Sequence, residues 1–248
     1  MKKICLCLIF LIFLGGCASK TALVPRTAEQ QFKIAQEKYQ QKKYDEAINE
    51  FYKLIFSHPG ASFIDSAQFY LGLCYYWQED FSLAIAEFKK LLSSFPTSQL
   101  ADDVEYYIPL CNYHMSLKSV LDQENTQLAI EGFRNFLDYY SNSPYVPRAK
   151  RYLSKARNKL AEKTYKNGYI YAKLGQYEAA LIYLNEVLDK YYDTQWAGKS
   201  LFKIAEIHQK RGELSKALER YKELVEKFPQ DQKVEETKER IKELEGKS

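Results

Sequence analysis

Glycine and proline are scarce in this chain of 248 residues, ten and seven respectively. So few turn formers exclude a sandwich or barrel of many short strands. Histidine is scarcer still: His58, His114 and His208 are the only three, and no GxSxG or HExxH motif accompanies them. A histidine-based triad or metal site therefore has little raw material, and neither catalysis nor a metal or other cofactor is expected. The five cysteines make no CxxC pair, since Cys5 and Cys7 are one residue apart, Cys17 follows near the N-terminus, and Cys74 and Cys111 stand alone. Charge of one sign is also lacking, with 36 basic against 32 acidic side chains for a formal +4. What the chain does have is apolar and aromatic substance, 46% hydrophobic and 15% aromatic with 21 tyrosines. That excludes a low-complexity disordered chain and leaves helix as the default.

Long apolar runs are confined to the N-terminus. Met1-Lys2-Lys3 is a short basic leader, and Ile4 to Leu14 is an unbroken run of eleven apolar residues. A bilayer-spanning helix needs about 20, so the run reads as the apolar region of a secretory signal. Leu14-Gly15-Gly16-Cys17 follows and resembles the lipobox of bacterial lipoproteins. The resemblance implies cleavage after residue 16, a leader at 1–16, and lipidation of Cys17. Ala18 rather than aspartate comes next, which for such lipoproteins implies delivery to the outer membrane, anchored in lipid and facing the periplasm. Each buried acyl CH₂ contributes about 0.8 kcal/mol and one chain alone holds only marginally, so several chains make the attachment stable. Residues 17–26 read as a lipidated tether, and 27–248 as the body.

The body is self-similar. Leu71-Gly72-x-x-Tyr75, Ala84-x-x-x-Phe88 and Pro96 resemble the tetratricopeptide motif, in which two antiparallel helices meet at small residues and proline closes the unit. The motif's first tryptophan position holds Gln68. Related signatures appear at Ile34-Ala35 with Ala47-x-x-x-Phe51, at Gly168-x-x-Tyr171 with Ala180-x-x-x-Leu184, and at Ile204-Ala205 with Ala217-x-x-x-Tyr221. A degenerate copy has Ala129-x-x-x-Phe133 in its second helix but Pro109 where a small residue belongs, and predicts a kink there. The alanines at 47, 84, 129, 180 and 217 set a base spacing of 37. Two longer spacings place an inserted loop within 115–126 and an extended first helix beginning near Arg148. The expected fold is all-α: a right-handed α-solenoid of five tetratricopeptide-like helix pairs, at about 27–60, 64–97, 101–144, 148–193 and 197–230, with a C-terminal capping helix over 231–245.

In register, the fifth position of each first helix is aromatic: Phe32, Phe69, Tyr106, Tyr165 and Phe202. The twelfth is Tyr39, Tyr76 and Tyr113, then Ala172 and Gln209. With neighbours Tyr70, Tyr107 and Trp77, the first three units carry an aromatic ladder on the side that lines a solenoid groove. Phe32, Tyr39, Phe69, Tyr70, Tyr76, Trp77, Tyr106 and Tyr113 are the candidates for contact with an extended peptide. For the fifth-position column, packing between units is the simpler reading. Charge divides along the chain as well: residues 18–144 carry a net −5 and 145–248 a net +7. Between 148 and 166 eight basic side chains oppose only Glu162. Arg148, Lys150, Arg151, Lys155, Arg157 and Lys159 are thus candidates for docking an acidic partner, and a solvated charged face is the bland alternative. The export signal speaks against nucleic acid.

Cys74 and Cys111 are one base spacing apart and so occupy equivalent places on neighbouring first helices. Packed helices lie about 8–10 Å apart whereas a disulfide needs Cα atoms within about 7 Å, which predicts two unpaired buried thiols.

Lipobox, short tether, five such units, a loop inside unit three and a long helix opening unit four together resemble the BamD/ComL family of outer-membrane assembly lipoproteins. Phe133, Leu137, Tyr140, Ser143-Pro144-Tyr145 and Tyr191-Tyr192-Asp193-Thr194 carry much of the likeness. The resemblance implies a non-catalytic subunit of the β-barrel assembly machinery. Its partners would be a BamA-like β-barrel protein, other assembly lipoproteins, unfolded outer-membrane protein segments, and outer-membrane lipid through the acyl anchor. In that family the N-terminal repeats are associated with substrate and the C-terminal repeats with the periplasmic domains of the barrel subunit. A tetratricopeptide lipoprotein that coordinates cell-envelope or cell-wall partners is the alternative.

Overall fold

Small side chains decide where the helices of this protein meet. The computed structural model describes residues 26–246 and, among them, holds eleven α-helices and no strand. They run α1 Ala28–Gln40, α2 Tyr44–Ser57, α3 Ile64–Trp77, α4 Phe81–Ser94, α5 Ala101–Met115, α6 Glu124–Tyr139, α7 Val146–Lys173, α8 Tyr177–Lys190, α9 Trp196–Lys210, α10 Leu214–Lys227 and α11 Val234–Glu245. The leader, Cys17 and most of the tether lie outside the described residues. Thr27 opens α1 with a reciprocal cap: its hydroxyl accepts the Gln30 N–H at 3.3 Å while the Gln30 side chain accepts the Thr27 N–H at 3.1 Å, satisfying donors that a helix start leaves unpaired.

Odd- and even-numbered helices pair as antiparallel hairpins. Ala47, Ala84, Ala129, Ala180 and Ala217, all fully buried, let each second helix approach its first. Opposite them the first helices are small as well. A Cβ built on Gly72 would stand 2.5 Å from the Phe88 ring, and one on Gly168 would stand 2.8 Å from Leu184 Cγ. The third pair reaches the same fit by exchange: α5 continues through Pro109, and the glycine sits across from it, since a Cβ on Gly132 would lie 2.7 Å from Pro109 Cβ. Buried amides reinforce the first two pairs. Gln68 Nε2 donates to the Glu87 carboxylate at 2.5 Å, and Gln31 donates to Glu50 in the same way one spacing earlier. The tight turns recur too, with left-handed backbone at Lys42 and Glu79 (φ 59° and 63°) and at Gly175 and Gly212 (φ 73° and 75°), where glycine carries no steric penalty.

Pairs stack in chain order into a helical solenoid. Successive first helices touch, α1 to α3, α5 to α7 and α7 to α9, and no two second helices make a comparable contact among the described residues. The first helices therefore line the inner side. The 28-residue α7 packs against α5, α6, α8 and α9 and so ties the two halves together. Residues 116–123 form the loop between α5 and α6, and α11 covers α10 with Val234, Thr237 and Leu244 buried. Cys74 and Cys111 are buried free thiols, and burial pushes both up to about 12, far from the range in which a thiolate reacts at neutral pH.

Gly72→Ala should destabilise the protein by about 1–3 kcal/mol, since Phe88 is fully enclosed and has no room to give. Gly60→Ala, which meets nothing within 4 Å, should change stability by no more than about 0.5 kcal/mol. Urea midpoints of the two variants test the difference.

Candidate functional site

Residues seven apart share a helix face two turns from one another, and this separates the two aromatic columns. The fifth-position rings sit at the level where the second helix inserts its own ring. Phe69 lies 5.8 Å from Phe88 and is 8% exposed, and Tyr106 stacks on Tyr145 at 4.4 Å and is 3% exposed. Phe32, half-buried, packs on Phe51 and Phe63, and Tyr70 stacks on Phe51 at 5.8 Å. Phe69 and Tyr106 thus belong to the packed interior and are removed from any groove surface, because closing the hairpin needs their area.

The twelfth-position rings lie nearer the helix ends, past that insertion. Trp77 Nε1 donates to the Tyr39 hydroxyl at 3.0 Å, joining α3 to α1, and Trp77 is 51% exposed. Tyr76 meets Trp77 and Tyr107 edge-on, each at 5.2 Å, and its hydroxyl lies 3.4 Å from His114 Nε2. His114 stacks on Phe81 at 5.2 Å. Tyr113 then meets Tyr152 of α7 at 5.0 Å. Burial raises the phenols of Tyr39, Tyr76 and Tyr113, so they remain neutral hydrogen-bonding groups. The result is a row of rings, Tyr39, Trp77, Tyr76, His114 and Tyr113, crossing α1, α3 and α5 on the inner side.

The basic candidates divide as well. Arg148, Lys150, Arg151 and Lys155 are exposed; Arg151 and Lys155 lie over the Tyr152 ring at 5.6 and 5.4 Å. Arg157 and Lys159 are committed within the fold, which corrects their place in the docking set. Arg157 grips Asp193 with two bonds at 2.5 and 2.9 Å and donates to the Lys190 carbonyl at 2.8 Å, fastening α7 to the α8–α9 corner. That guanidinium holds the Asp193 carboxyl below its ordinary value. Lys159 donates to the Ser116 hydroxyl at 2.5 Å and lies over Tyr113 at 5.3 Å. Burial lowers its ammonium from the usual lysine value.

The aromatic surface also extends further than the twelfth-position column indicates. Tyr165 lies 5.1 Å from Trp196, and Lys199 and Lys203 sit over Trp196 and Tyr169 at 4.3 and 5.1 Å. Rings are therefore present in the basic half as well, interleaved with lysines. The signal for them was the recurrence of Tyr152, Lys155, Lys159, Glu162, Lys166 and Tyr169 at intervals of three and four along α7. Among the described residues no group of three or more His, Cys, Asp or Glu could hold a metal ion, and no helix is long and apolar enough to cross a membrane.

The profile of the YfiO family, described as an outer membrane lipoprotein, matches residues 25–217. The outer membrane protein assembly factor BamD of Vibrio cholerae serotype O1 (strain ATCC 39315 / El Tor Inaba N16961) is 34% identical over 108 residues, 44% of this chain and 44% of that protein. The match thus spans less than half the length of that relative. Among solved structures, the TPR2AB domain of yeast Sti1 in its pHSP90 complex is 12% identical, with a TM-score of 0.41 over 88% of this chain and 98% of that one. TTC0263, a thermophilic TPR protein of Thermus thermophilus, is 16% identical, with a TM-score of 0.38 over 88% and 98%.

Arg157→Ala should cost on the order of 1–2 kcal/mol, since the guanidinium is mostly buried while Asp193 keeps contact with water. Lys150→Ala should cost next to nothing. The pairing lowers the Asp193 value, so its contribution is complete above the unfolded carboxyl range and fades as pH falls below about 4. Denaturant midpoints of both variants at neutral and acid pH check the sign.

Proposed function

Since the chain belongs to the YfiO family of outer membrane lipoproteins, we propose that it is a non-catalytic subunit of the machinery that assembles β-barrel proteins in the outer membrane. In this reading Cys17 carries the acyl anchor and the solenoid faces the periplasm. Unfolded outer-membrane protein segments are received on the aromatic row of α1, α3 and α5. The exposed basic start of α7 docks the periplasmic part of a BamA-like β-barrel protein, beside which other assembly lipoproteins join. The observation that carries the reading is the family match, and the partial identity to an outer membrane protein assembly factor supports it.

Physical chemistry supports the division of labour. Tyrosine and tryptophan rings provide contact area at little rotamer cost and tolerate varied partners. Trp77 and Tyr39 hold each other by a hydrogen bond that does not require a ligand, so the surface is in place before substrate arrives. Contacts of this kind are reversible, as handover requires. Arg148, Lys150 and Arg151 are exposed and form no ion pair among the described residues, which leaves them free for steering an acidic partner.

Tagged protein drawn from solubilised outer membranes should bring down a large β-barrel protein with periplasmic repeats, identified by mass spectrometry. Reversing Arg148, Lys150 and Arg151 to glutamate should weaken that capture, and the effect should shrink as salt is raised. Capture of cell-wall proteins in place of a barrel would instead favour an envelope scaffold. For the aromatic row, Tyr39→Ala combined with Trp77→Ala should reduce the affinity for a peptide ending in an aromatic residue about tenfold while circular dichroism stays unchanged. Equal affinity would return the row to packing alone.

A further inference from the structure

Beyond the aromatic row, the loop between α5 and α6 stands out by being fixed yet apolar on its outside. Gln123, 5% exposed, donates from one amide to the carbonyls of Lys118, Leu121 and Asp122 at 2.9, 3.1 and 2.8 Å, and accepts from the Thr126 hydroxyl at 2.8 Å. From α7, Lys159 holds Ser116 and Lys163 donates to the Leu121 carbonyl at 2.8 Å. A loop restrained at both ends and in its middle nevertheless shows Leu117, Val120 and Leu121 to solvent, at 50, 63 and 50% exposure. A plain connection between two helices needs neither the length nor the aliphatic side chains. Ordering them in advance lowers the entropy cost of binding something against them.

The loop forms one wall of a hollow of about 850 Å³ whose other walls are α7 and the start of α9. Tyr113, Leu117, Val120 and Trp196 supply its apolar lining, and Lys118, Lys155, Lys159 and Lys166 its positive charge, of which Lys159 is held by Ser116. Glu162 is the one carboxylate in the lining, and it is engaged by Lys166 at 2.5 Å. Lys199 over the Trp196 ring adds a further positive charge at the rim. An occupant must therefore be anionic and must also bring apolar groups, since a bare small anion would leave Val120 and Trp196 uncovered. The volume suits a few residues in extended form and is too small for a folded domain. A flat lipid surface would reach the loop's outer side chains and the exposed Lys118, but would leave the half-buried Trp196 uncovered.

We infer that this hollow binds an acidic stretch of polypeptide carrying large apolar side chains. Its carboxylates meet Lys118 and Lys155, and an apolar side chain fits between Val120 and Trp196. The hollow adjoins the end of the aromatic row at Tyr113 and the basic face of α7 at Lys155, but the loop and Trp196 belong to neither, and the inference goes beyond both proposed roles.

The two tryptophans, Trp77 and Trp196, lie one in the row and one in the hollow, so single-tryptophan variants report on each place independently. In Trp77→Phe protein, a short synthetic peptide alternating glutamate and leucine should change the emission of Trp196 saturably. The same peptide with glutamine for glutamate should bind at least about tenfold more weakly. Val120→Asp, at an exposed position where folding is indifferent to the change, should abolish the signal, and Lys118→Glu with Lys155→Glu should weaken it by about the same tenfold. Silence of Trp196, equal affinity for the glutamine peptide, or a response to phosphatidylglycerol vesicles in place of the peptide would overturn the inference. So would a peptide response confined to Trp77 in Trp196→Phe protein, an outcome that leaves the aromatic row standing as the receiving surface.

Discussion

The distance between the two helices of a hairpin is the constraint on which the rest of this molecule depends, and it is set by side chains that are absent. Gly72 lies under the Phe88 ring and Gly168 under Leu184, with no space for a methyl group. Where proline occupies the small site, the glycine has moved across to position 132 and the spacing survives. A hairpin closed this way has one apolar face satisfied and another still open, so each pair needs the next, and stacking follows. The closer contact among first helices then puts their free faces on the inside of the array. The aromatic row lies along that side.

Departures from regular repetition are where the chemistry concentrates. The loop at 116–123 and the extended α7 interrupt the spacing of 37, and together they make a hollow that a uniform stack would not have. α7 holds it open by touching four other helices, and Arg157 fastens the far corner to Asp193. Basic side chains on one helix thus do two different things: some hold backbone carbonyls and a carboxylate in place, others remain free to attract. With charges screened over roughly 10 Å in salt solution, the local sign of a surface matters more than a total of +4. The first half is acidic and the second basic, so their surfaces differ in sign.

The rings and the loop of this surface are preorganised. Tyr39 and Trp77 orient each other, Gln123 and Lys163 fix the loop, and lysines lie over Trp196 and Tyr169. Rings and aliphatic groups already held in position lose little freedom when covered. From Tyr152 onward the rings are interleaved with lysines.

Much of the architecture was legible along the chain because helices report themselves by period. The alanines at 47, 84, 129, 180 and 217, the long spacing before Ala180 and the isolated cysteines sufficed for a solenoid of paired helices with buried, unpaired thiols. Period also indicates which residues share a face, so the aromatic columns and the basic run of α7 were visible. It does not indicate what packs across that face. Phe69 and Tyr106 share a stripe with Tyr76 and Tyr113 yet are enclosed, because second-helix rings and Tyr145 reach them two turns from the helix end. Arg157 and Lys159 belong to the same run as Arg151, yet Asp193 and Ser116 hold them. The hollow joins residues as distant in the chain as Ser116 and Trp196, and only the stacking of α7 on α5 and α9 brings them together. Local pattern determined the elements and their faces; exposure depends on distant neighbours, and that the tertiary structure alone decided.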